Sequence, residues 1–214
     1  MHPMDRTLQQ SLPTVMAPRF SELAPLETNG ERLIAATNGM FLEARRPWIR
    51  IVRRIAEFRV ATAIPYGAVE EATDLLCGRI PPDLIGAFAR LAAQSMPNEV
   101  GAWIVWDCDS ARFSLAPVKI LSHGPGHLDY ERPKLAVTES LVMDLHSHGR
   151  LPAFFSATDN ADDRFDVKFA LVVGNCGAAT PSMVLRLCAK GILEDVDRVP
   201  SDWYCAARRE ESPV

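Results

Sequence analysis

Cysteine is scarce in this chain and never occurs in closely spaced pairs. The five cysteines are scattered through 214 residues, their number is odd, and no two of them form a Cys-x-x-Cys pair. This distribution argues against a disulfide framework and against a thiolate zinc knuckle. We therefore expect most of the cysteines to be small buried hydrophobic residues.

Long apolar segments and a dominant charge are also lacking. No uninterrupted apolar run reaches the roughly 18–20 residues of a membrane-spanning helix, and residues 1–20 lack the apolar core of a signal peptide. We therefore expect a cytoplasmic protein with no membrane partner. The net charge of −4 gives no whole-chain reason to expect nucleic-acid binding.

The composition divides the chain into an N-terminal extension, residues 1–60, and a main domain, residues 61–214. Residues 1–30 are rich in Pro, Ser and Thr and weakly periodic, which predicts an extended or partly disordered arm. Residues 31–60 have the pattern of β-strands, and Asn38-Gly39 is the strongest hairpin signal. The extension is therefore predicted to be small and β-rich.

The second half of the extension is rich in arginine. Six of its arginines follow the predicted hairpin turn, and they are Arg45, Arg46, Arg50, Arg53, Arg54 and Arg59. A basic patch for nucleic acid is one interpretation and a solvated strand or helix face is the other. We favour the solvated face, because few aromatic side chains interleave with the arginines to stack on bases.

The main domain mixes helix and strand patterns. Pro81-Pro82-Asp83 is a typical helix start, and apolar residues then recur at helical spacing up to residue 95. Several strand patterns follow, then a short helix pattern after Ser156, then two further strands. This order predicts an α/β (α+β) fold, either mixed or a three-layer sandwich.

Two of the five histidines stand one residue apart at the end of a predicted strand, "ESLVMDLHSH". Alternate side chains of a strand point to the same face, so His146 and His148 are predicted to aim at one point. Two imidazole nitrogens placed in this way can share one Zn²⁺ at about 2.0–2.1 Å. His-x-His by itself is a weak signal.

A second polar motif, Ser156-Ala157-Thr158-Asp159, follows His148 after seven intervening residues. Ser156 is a typical helix cap, and Asp159 suits the first turn of the helix that it starts. Such a helix would also hold the Asp159 carboxylate in place as a third ligand. Three protein ligands with one open position are typical of a catalytic zinc site.

Together these residues resemble the signature of the JAMM (MPN-domain, JAB-like) metalloprotease family, Glu…His-x-His-x7-Ser-x-x-Asp. Glu99, which lies 47 residues before His146, follows the first long helix as the family's glutamate does. The resemblance covers about residues 80–190. It implies a three-layer α-β-α sandwich resembling the cytidine deaminase-like fold.

The resemblance also implies roles for the matched residues. One Zn²⁺ per chain would be held by His146, His148 and Asp159. Glu99 would act as general base and then acid, and Ser156 would donate a hydrogen bond to the developing oxyanion. The implied activity is that of a zinc metalloprotease, an isopeptidase similar to deubiquitinases.

An Arg-rich extension before a compact core is similar to the bacterial branch of this family that is found in the PRTRC plasmid cassette. That likeness implies a ubiquitin-like protein or its conjugates as the substrate, and a ThiF-like activating enzyme as a further partner. Nucleic acid is not an expected partner. Self-association into a homo-oligomer stays open.

Gly149 departs from the family pattern, because members with proven peptidase activity usually have Pro directly after the second His. The glycine predicts a looser connection, and it keeps open a second function, that of a weakly active or inactive MPN-like interaction module in a plasmid cassette assembly.

His123 and His127 flank Gly-Pro-Gly and are predicted to lie in a surface turn. Asp162, Asp163 and Asp166 are predicted to be solvated charges.

Overall fold

The computed structural model describes residues 2–60 and 63–208. These residues group into two compact units, Met1–Gly78 and Arg79–Val214. The first unit reaches beyond the sequence-based boundary at residue 60, because a strand formed by Ala72–Leu75 pairs with the strand Ile49–Ala56.

The first unit contains one helix and five strands. These are α1 (Pro3–Ser11), β1 (Thr14–Met16), β2 (Gly30–Ala36), β3 (Gly39–Arg46), β4 (Ile49–Ala56) and β5 (Ala72–Leu75). The strands form one sheet in the order β1-β2-β3-β4-β5. The predicted hairpin is confirmed, since β2 and β3 pair antiparallel around Thr37 and Asn38.

The predicted extended or partly disordered arm is wrong for Pro3–Ser11, and Thr14–Met16 is extended but paired in a sheet. Pro3–Ser11 is a helix, and its N-terminal end is capped by the His2 ring, which accepts a hydrogen bond from the Met4 N–H. Thr14–Met16 pairs in parallel with β2. Weak apolar periodicity did not reveal either element, because α1 buries no residue and β1 is only three residues long.

Arginines of the first unit are engaged by carboxylates of the same unit. Arg46 pairs with Glu31, and Arg54 lies 2.7 Å from Glu57. Arg50 lies 2.6 Å from Glu43, whose side chain is fully buried. Arg46 and Arg50 are therefore partly buried and paired within the unit rather than fully solvated. The expectation that nucleic acid is not a partner stays a prediction.

The second unit contains three helices and eight strands. These are α2 (Pro82–Ser95), β6 (Gly101–Asp107), β7 (Arg112–Pro117), β8 (Lys119–Gly124), β9 (His127–Glu131), β10 (Glu139–Ser147), α3 (Ala157–Asp162), β11 (Val167–Gly174), β12 (Ser182–Ala189), β13 (Ile192–Asp195) and α4 (Ser201–Ala207). Six strands form a mixed sheet in the order β13-β12-β11-β10-β6-β7, and β8 and β9 form a separate hairpin. The α/β (α+β) class and the helix 82–95 are confirmed.

One predicted strand is divided in the structure. The segment "RFSLAPVKIL" contributes β7 to the main sheet and then β8 to the separate hairpin. The division falls at Val118, between the last residue of β7, Pro117, and the first residue of β8, Lys119. β8 then pairs with β9 in a separate two-stranded sheet.

The central connection of the second unit runs from β10 through α3 to β11. β10 and β11 are parallel neighbours, with His146 opposite Val172, whereas β10 and β6 are antiparallel. On β10, Met143 and Leu145 are fully buried, and Asp144 and His146 line a cleft. The predicted polar motif therefore lies where the strand ends, at the edge from which α3 starts.

The structure agrees with the sequence on its cysteines and on the length of its apolar segments. All five cysteines are free, and Cys77, Cys176 and Cys188 are buried, as most were predicted to be. Cys108 and Cys205 are exposed. None of the described helices is long and apolar enough to cross a membrane.

Candidate metal centre

The two histidines lie at the carboxyl end of β10 and face each other. The His148 N–H donates to the Val173 carbonyl at 2.9 Å, which continues the strand ladder beyond Ser147. Both side chains therefore leave the same face of the strand, and their Nε2 atoms are 3.2 Å apart. The prediction from His-x-His, that both imidazoles point to one place from the same face of the strand, is therefore confirmed.

His148 is oriented and kept neutral by its surroundings. Its Nδ1 lies 3.3 Å from the Pro152 carbonyl, and only an N–H can bond to a carbonyl oxygen, so Nε2 carries the free lone pair. Burial lowers the pKa of His148, and the neighbouring His146 lowers it further. The unprotonated imidazole is the form that binds a metal.

Asp159 is held by a reciprocal cap at the start of α3. Ser156 Oγ accepts a hydrogen bond from the Asp159 N–H at 3.2 Å, and Asp159 Oδ2 accepts one from the Ser156 N–H at 2.6 Å. Its other oxygen, Oδ1, lies 3.4 Å from His146 Nε2. One carboxylate oxygen thus fixes the helix start and the other faces the histidines.

Two of the separations between the donor atoms, both measured from His146 Nε2, match those of one tetrahedral ion. Ligands at about 2.0–2.1 Å from a tetrahedral zinc lie about 3.3–3.4 Å from one another. The observed separations from His146 Nε2 are 3.2 Å to His148 Nε2 and 3.4 Å to Asp159 Oδ1. Ligand atoms of all three residues lie within 4.8 Å of one another. Two nitrogens and one carboxylate oxygen are a donor set that fits Zn²⁺.

Glu99 lies in the loop between α2 and β6 and lines the same cleft as the three donors. Its side chain is buried. Burial raises the pKa of the Glu99 carboxyl to about 7, and the negative charge of Asp159 contributes to this shift. A carboxyl with a pKa near neutral pH is suited to accept and return a proton.

The backbone of Glu99 is held by the hairpin β8–β9, which the sequence did not reveal. Its N–H donates to the Gly124 carbonyl at 3.0 Å, and its carbonyl lies 2.7 Å from His123 Nδ1. His123 therefore lies in β8 and orients Glu99, so the predicted surface turn is wrong for this residue. His127 begins β9 and lines the cleft.

Ser147, between the two histidines, joins the end of β10 to the segment that carries Glu99. Its hydroxyl accepts a hydrogen bond from the Val100 N–H at 3.0 Å, and its own N–H donates to the Val100 carbonyl at 3.0 Å. The side chain is completely buried. These two bonds set the position of Glu99 relative to His146 and His148.

Replacing Ser147 with alanine is expected to lower the free energy of unfolding by about 1–3 kcal/mol, because the buried Val100 N–H loses its acceptor. Denaturant unfolding monitored by circular dichroism measures the change. Ser122→Ala is the matched control, since the Ser122 hydroxyl contacts His127 in an exposed position and should change stability by no more than about 0.5 kcal/mol. Equal effects of the two substitutions would contradict the assignment.

Gly149 is in a tightly packed turn, so the expectation of a looser connection is wrong. Its φ angle is +53°, a left-handed conformation that a proline cannot adopt. A Cβ atom at this position would lie 2.6 Å from the Pro97 carbonyl oxygen. The Gly149 carbonyl also accepts a hydrogen bond from the Cys176 N–H at 2.8 Å. The glycine is therefore the residue that this backbone path requires.

Replacing Gly149 with alanine is expected to lower the free energy of unfolding by about 2 kcal/mol or more, because the left-handed conformation and the contact with Pro97 are both unfavourable. Gly149→Pro should be worse, although it restores the residue usual in the family. Gly126→Ala is the control, since a Cβ there meets nothing within 4 Å. Thermal unfolding of the three variants measures the order of their stabilities. A stable Gly149→Pro protein would refute this account of the turn.

The cleft around these residues has a volume of about 340 Å³. One wall comes from the hairpin, through Leu128 and Tyr130 of β9, and Asp144 contributes to the lining from β10. On the side of α3, the Phe154 ring meets His148 edge-on, with 4.4 Å between ring centroids. The cleft thus combines a metal-binding donor set, a buried proton acceptor and an apolar rim.

Two family models match separate parts of the chain. Residues 2–76 match a domain of unknown function, DUF2016. Residues 81–188, just over half of the chain, match a model of prokaryotic homologs of the JAB domain. No curated protein matches the chain. The second match spans Glu99, His146, His148, Ser156 and Asp159.

Proposed function

Because the chain belongs to the prokaryotic homologs of the JAB domain, we propose that its second unit is a zinc-dependent metallopeptidase or isopeptidase. The bond cleaved is an amide or isopeptide bond. The observation that carries the proposal is the convergence of His146, His148 and Asp159 within 4.8 Å of one another, with buried Glu99 in the same cleft.

In this proposal His146, His148 and Asp159 hold one Zn²⁺ per chain. When bound, zinc supplies Lewis-acid chemistry and lowers the pKa of a bound water molecule to about 7. Glu99 accepts the proton of the attacking water and passes it to the leaving amine. Its burial supports this role, since the raised pKa leaves the carboxyl able to exist in both protonation states near neutral pH.

In this proposal Ser156 has a catalytic role in addition to capping α3. Its oxygen accepts a hydrogen bond from the Asp159 N–H, and that bond does not use the hydroxyl proton. The hydroxyl can therefore donate to the oxyanion that develops on the scissile carbonyl, since Ser156 lines the cleft. Loss of a single donor of this kind costs roughly 2.7–4 kcal/mol of transition-state stabilisation.

The substrate that we propose is the C-terminal tail of a ubiquitin-like protein or of its conjugates. Such a tail is extended, and an extended peptide can add to the exposed edge of a sheet. The short hairpin β8–β9 beside the cleft supports this choice, because Leu128 and Tyr130 of β9 line the wall along which a tail would lie. A ThiF-like activating enzyme is proposed as a further partner.

A fusion of the cassette's ubiquitin-like protein to a short C-terminal peptide tests the proposal. Zinc-loaded full-length protein is expected to release the peptide at a single position after the tail, as read by mass spectrometry. Protein treated with a chelator should leave the fusion intact, and zinc should restore cleavage. A zinc-loaded protein that leaves both this fusion and an isopeptide-linked conjugate intact would favour the alternative, an MPN-like interaction module with little or no catalytic activity.

A further inference from the structure

The helix that carries Asp159 has no apolar anchor of its own. α3 is six residues long and none of them is buried. A helix of this length is not stable by itself in water, so contacts with the rest of the fold must hold it. Because Asp159 can contribute to the metal site only at a defined distance from the histidines, what holds α3 also determines the geometry of the site.

Arg186 of β12 contacts the helix at three places. Its Nη2 lies 2.6 Å from Asp163 Oδ2, at the C-terminal cap of α3, and its Nε lies 3.2 Å from the same oxygen. Nη1 donates to Asn160 Oδ1, in the middle of the helix. The guanidinium carbon stacks 3.8 Å from the centroid of the Phe155 ring, just before the N-cap. We call Arg186 with Phe155, Asn160 and Asp163 the Arg186 clamp.

Lys168 connects the Arg186 clamp to the strand that carries the histidines. Its Nζ lies 2.8 Å from Asp163 Oδ1 and 2.7 Å from Asp144 Oδ2. Asp144 is on β10, two residues before His146 and on the same face. Both oxygens of Asp163 are thus occupied by buried cations, so the prediction that Asp163 is a solvated charge is wrong.

The charges in this cluster are maintained in the folded protein. Burial by itself raises the pKa of Asp163, but Lys168 and Arg186 outweigh it and the pKa is lowered overall. Burial likewise disfavours the Lys168 cation, yet Asp144 and Asp163 raise its pKa. Charge-assisted hydrogen bonds between ionised groups are short and directional. Such bonds constrain the position and orientation of α3 more strictly than apolar packing would.

We propose that Arg186 is a positioning residue of the metal centre, which holds α3 so that the Asp159 carboxylate stays at ligand distance from His146 and His148. The proposal rests on the proposed zinc site and deepens it. Nothing in the sequence motif includes Arg186, which lies 27 residues after Asp159 on a different element. Arg186 touches neither substrate nor metal in this account and acts through the helix.

Zinc affinity of the full chain tests the proposal, measured by competition with a chromophoric chelator. Arg186→Met is expected to weaken zinc binding about 10–100-fold, the range seen when outer partners of metal ligands are removed. Arg186→Lys keeps the charge but not the forked geometry and should fall between this variant and the wild type. Arg79→Met is the control, because Arg79 pairs with Asp202 at the surface and should leave the affinity unchanged.

Asn160→Ala keeps the test decisive if Arg186→Met fails to fold. Asn160 is exposed, its loss leaves every charge of the Arg186 clamp paired, and it should weaken zinc binding roughly 3–10-fold. The visible spectrum of the cobalt-substituted protein gives a second readout, since a displaced Asp159 changes the coordination and hence the intensity of the bands. A purely structural role would leave that spectrum unchanged.

The outcomes separate this proposal from the one on which it rests. A wild-type chain that binds no zinc overturns the metal centre, and the Arg186 clamp with it. A wild-type chain that binds zinc, together with an Asn160→Ala variant of equal affinity and identical cobalt spectrum, overturns the Arg186 clamp alone. Weakened binding in Asn160→Ala and in the folded Arg186 variants, with Arg79→Met unchanged, supports it.

Discussion

Zinc-loaded Glu99→Gln protein is expected to retain its metal and to hydrolyse the ubiquitin-like fusion roughly 10²–10⁴-fold more slowly than the wild type. Glutamine has nearly the shape of glutamate and keeps the backbone bonds to His123 and Gly124, but its amide cannot accept the proton of the attacking water. Glu99 is not among the three residues whose donor atoms converge where a metal ion could be held. The zinc content per chain and the single-turnover rate of cleavage, measured on the same preparation, test both parts.

Glu131→Gln is the matched control for Glu99→Gln. Glu131 ends β9 and pairs with Lys119 in an exposed position, 2.7 Å away, so the same chemical change there should leave the rate unaltered. Cleavage by Glu99→Gln at the wild-type rate would exclude Glu99 as the general base. Loss of zinc from that variant would show instead that the buried carboxylate supports the metal site, and the role assigned here would have to be withdrawn.

Removal of any one of the three ligands is expected to weaken zinc binding at least about 100-fold, beyond the 10–100-fold typical of outer partners. His146→Ala, His148→Ala and Asp159→Ala each leave two protein donors, too few for a stable tetrahedral site. Metal content after dialysis and equilibrium titration with zinc provide the measurement. Hydrolysis should be lost in all three variants.

Two further variants separate the metal role from other roles of the same residues. Asp159→Asn keeps an oxygen that can accept the hydrogen bond from the Ser156 N–H, and so preserves the cap of α3, but it loses the carboxylate charge. It is expected to stay folded and to bind zinc poorly. His127→Ala removes a histidine that also lines the cleft and should bind zinc normally. Strong zinc binding by Asp159→Asn, or equal loss in His127→Ala, would contradict the assigned ligand set.

Much of the fold could be predicted from local patterns. The Asn38-Gly39 hairpin, the helix that begins at Pro82, the strand that ends at Ser147 and the capped helix after Ser156 all depend on residues that are close in sequence. The convergence of His146 and His148 follows from the alternation of side chains along one strand. The orientation of Asp159 could also be predicted locally, because the capping box that orients it lies within one helical turn.

The surroundings of the site could not be predicted in this way. The Gly-Pro-Gly pattern predicts a surface turn for His123, yet its ring lies 2.7 Å from the Glu99 carbonyl, 24 residues away. A glycine at position 149 predicts a looser connection, and the contact that makes it indispensable is with Pro97. Both features depend on contacts between loops that form only after the strands have paired, and no local sequence pattern predicts those contacts.

The side chains that can form a metal centre are predictable from the chain, because their types and spacing lie within two adjacent elements, β10 and α3. How far apart those two elements lie, and whether Glu99 faces them, depends on the folded arrangement. That distance depends on Lys168 and Arg186, which come from β11 and β12 and reach Asp144 and Asp163 only once the sheet has assembled. The physical reason is that a hydrogen bond or an ion pair requires contact within a few ångströms, whereas sequence separation limits contact only between near neighbours.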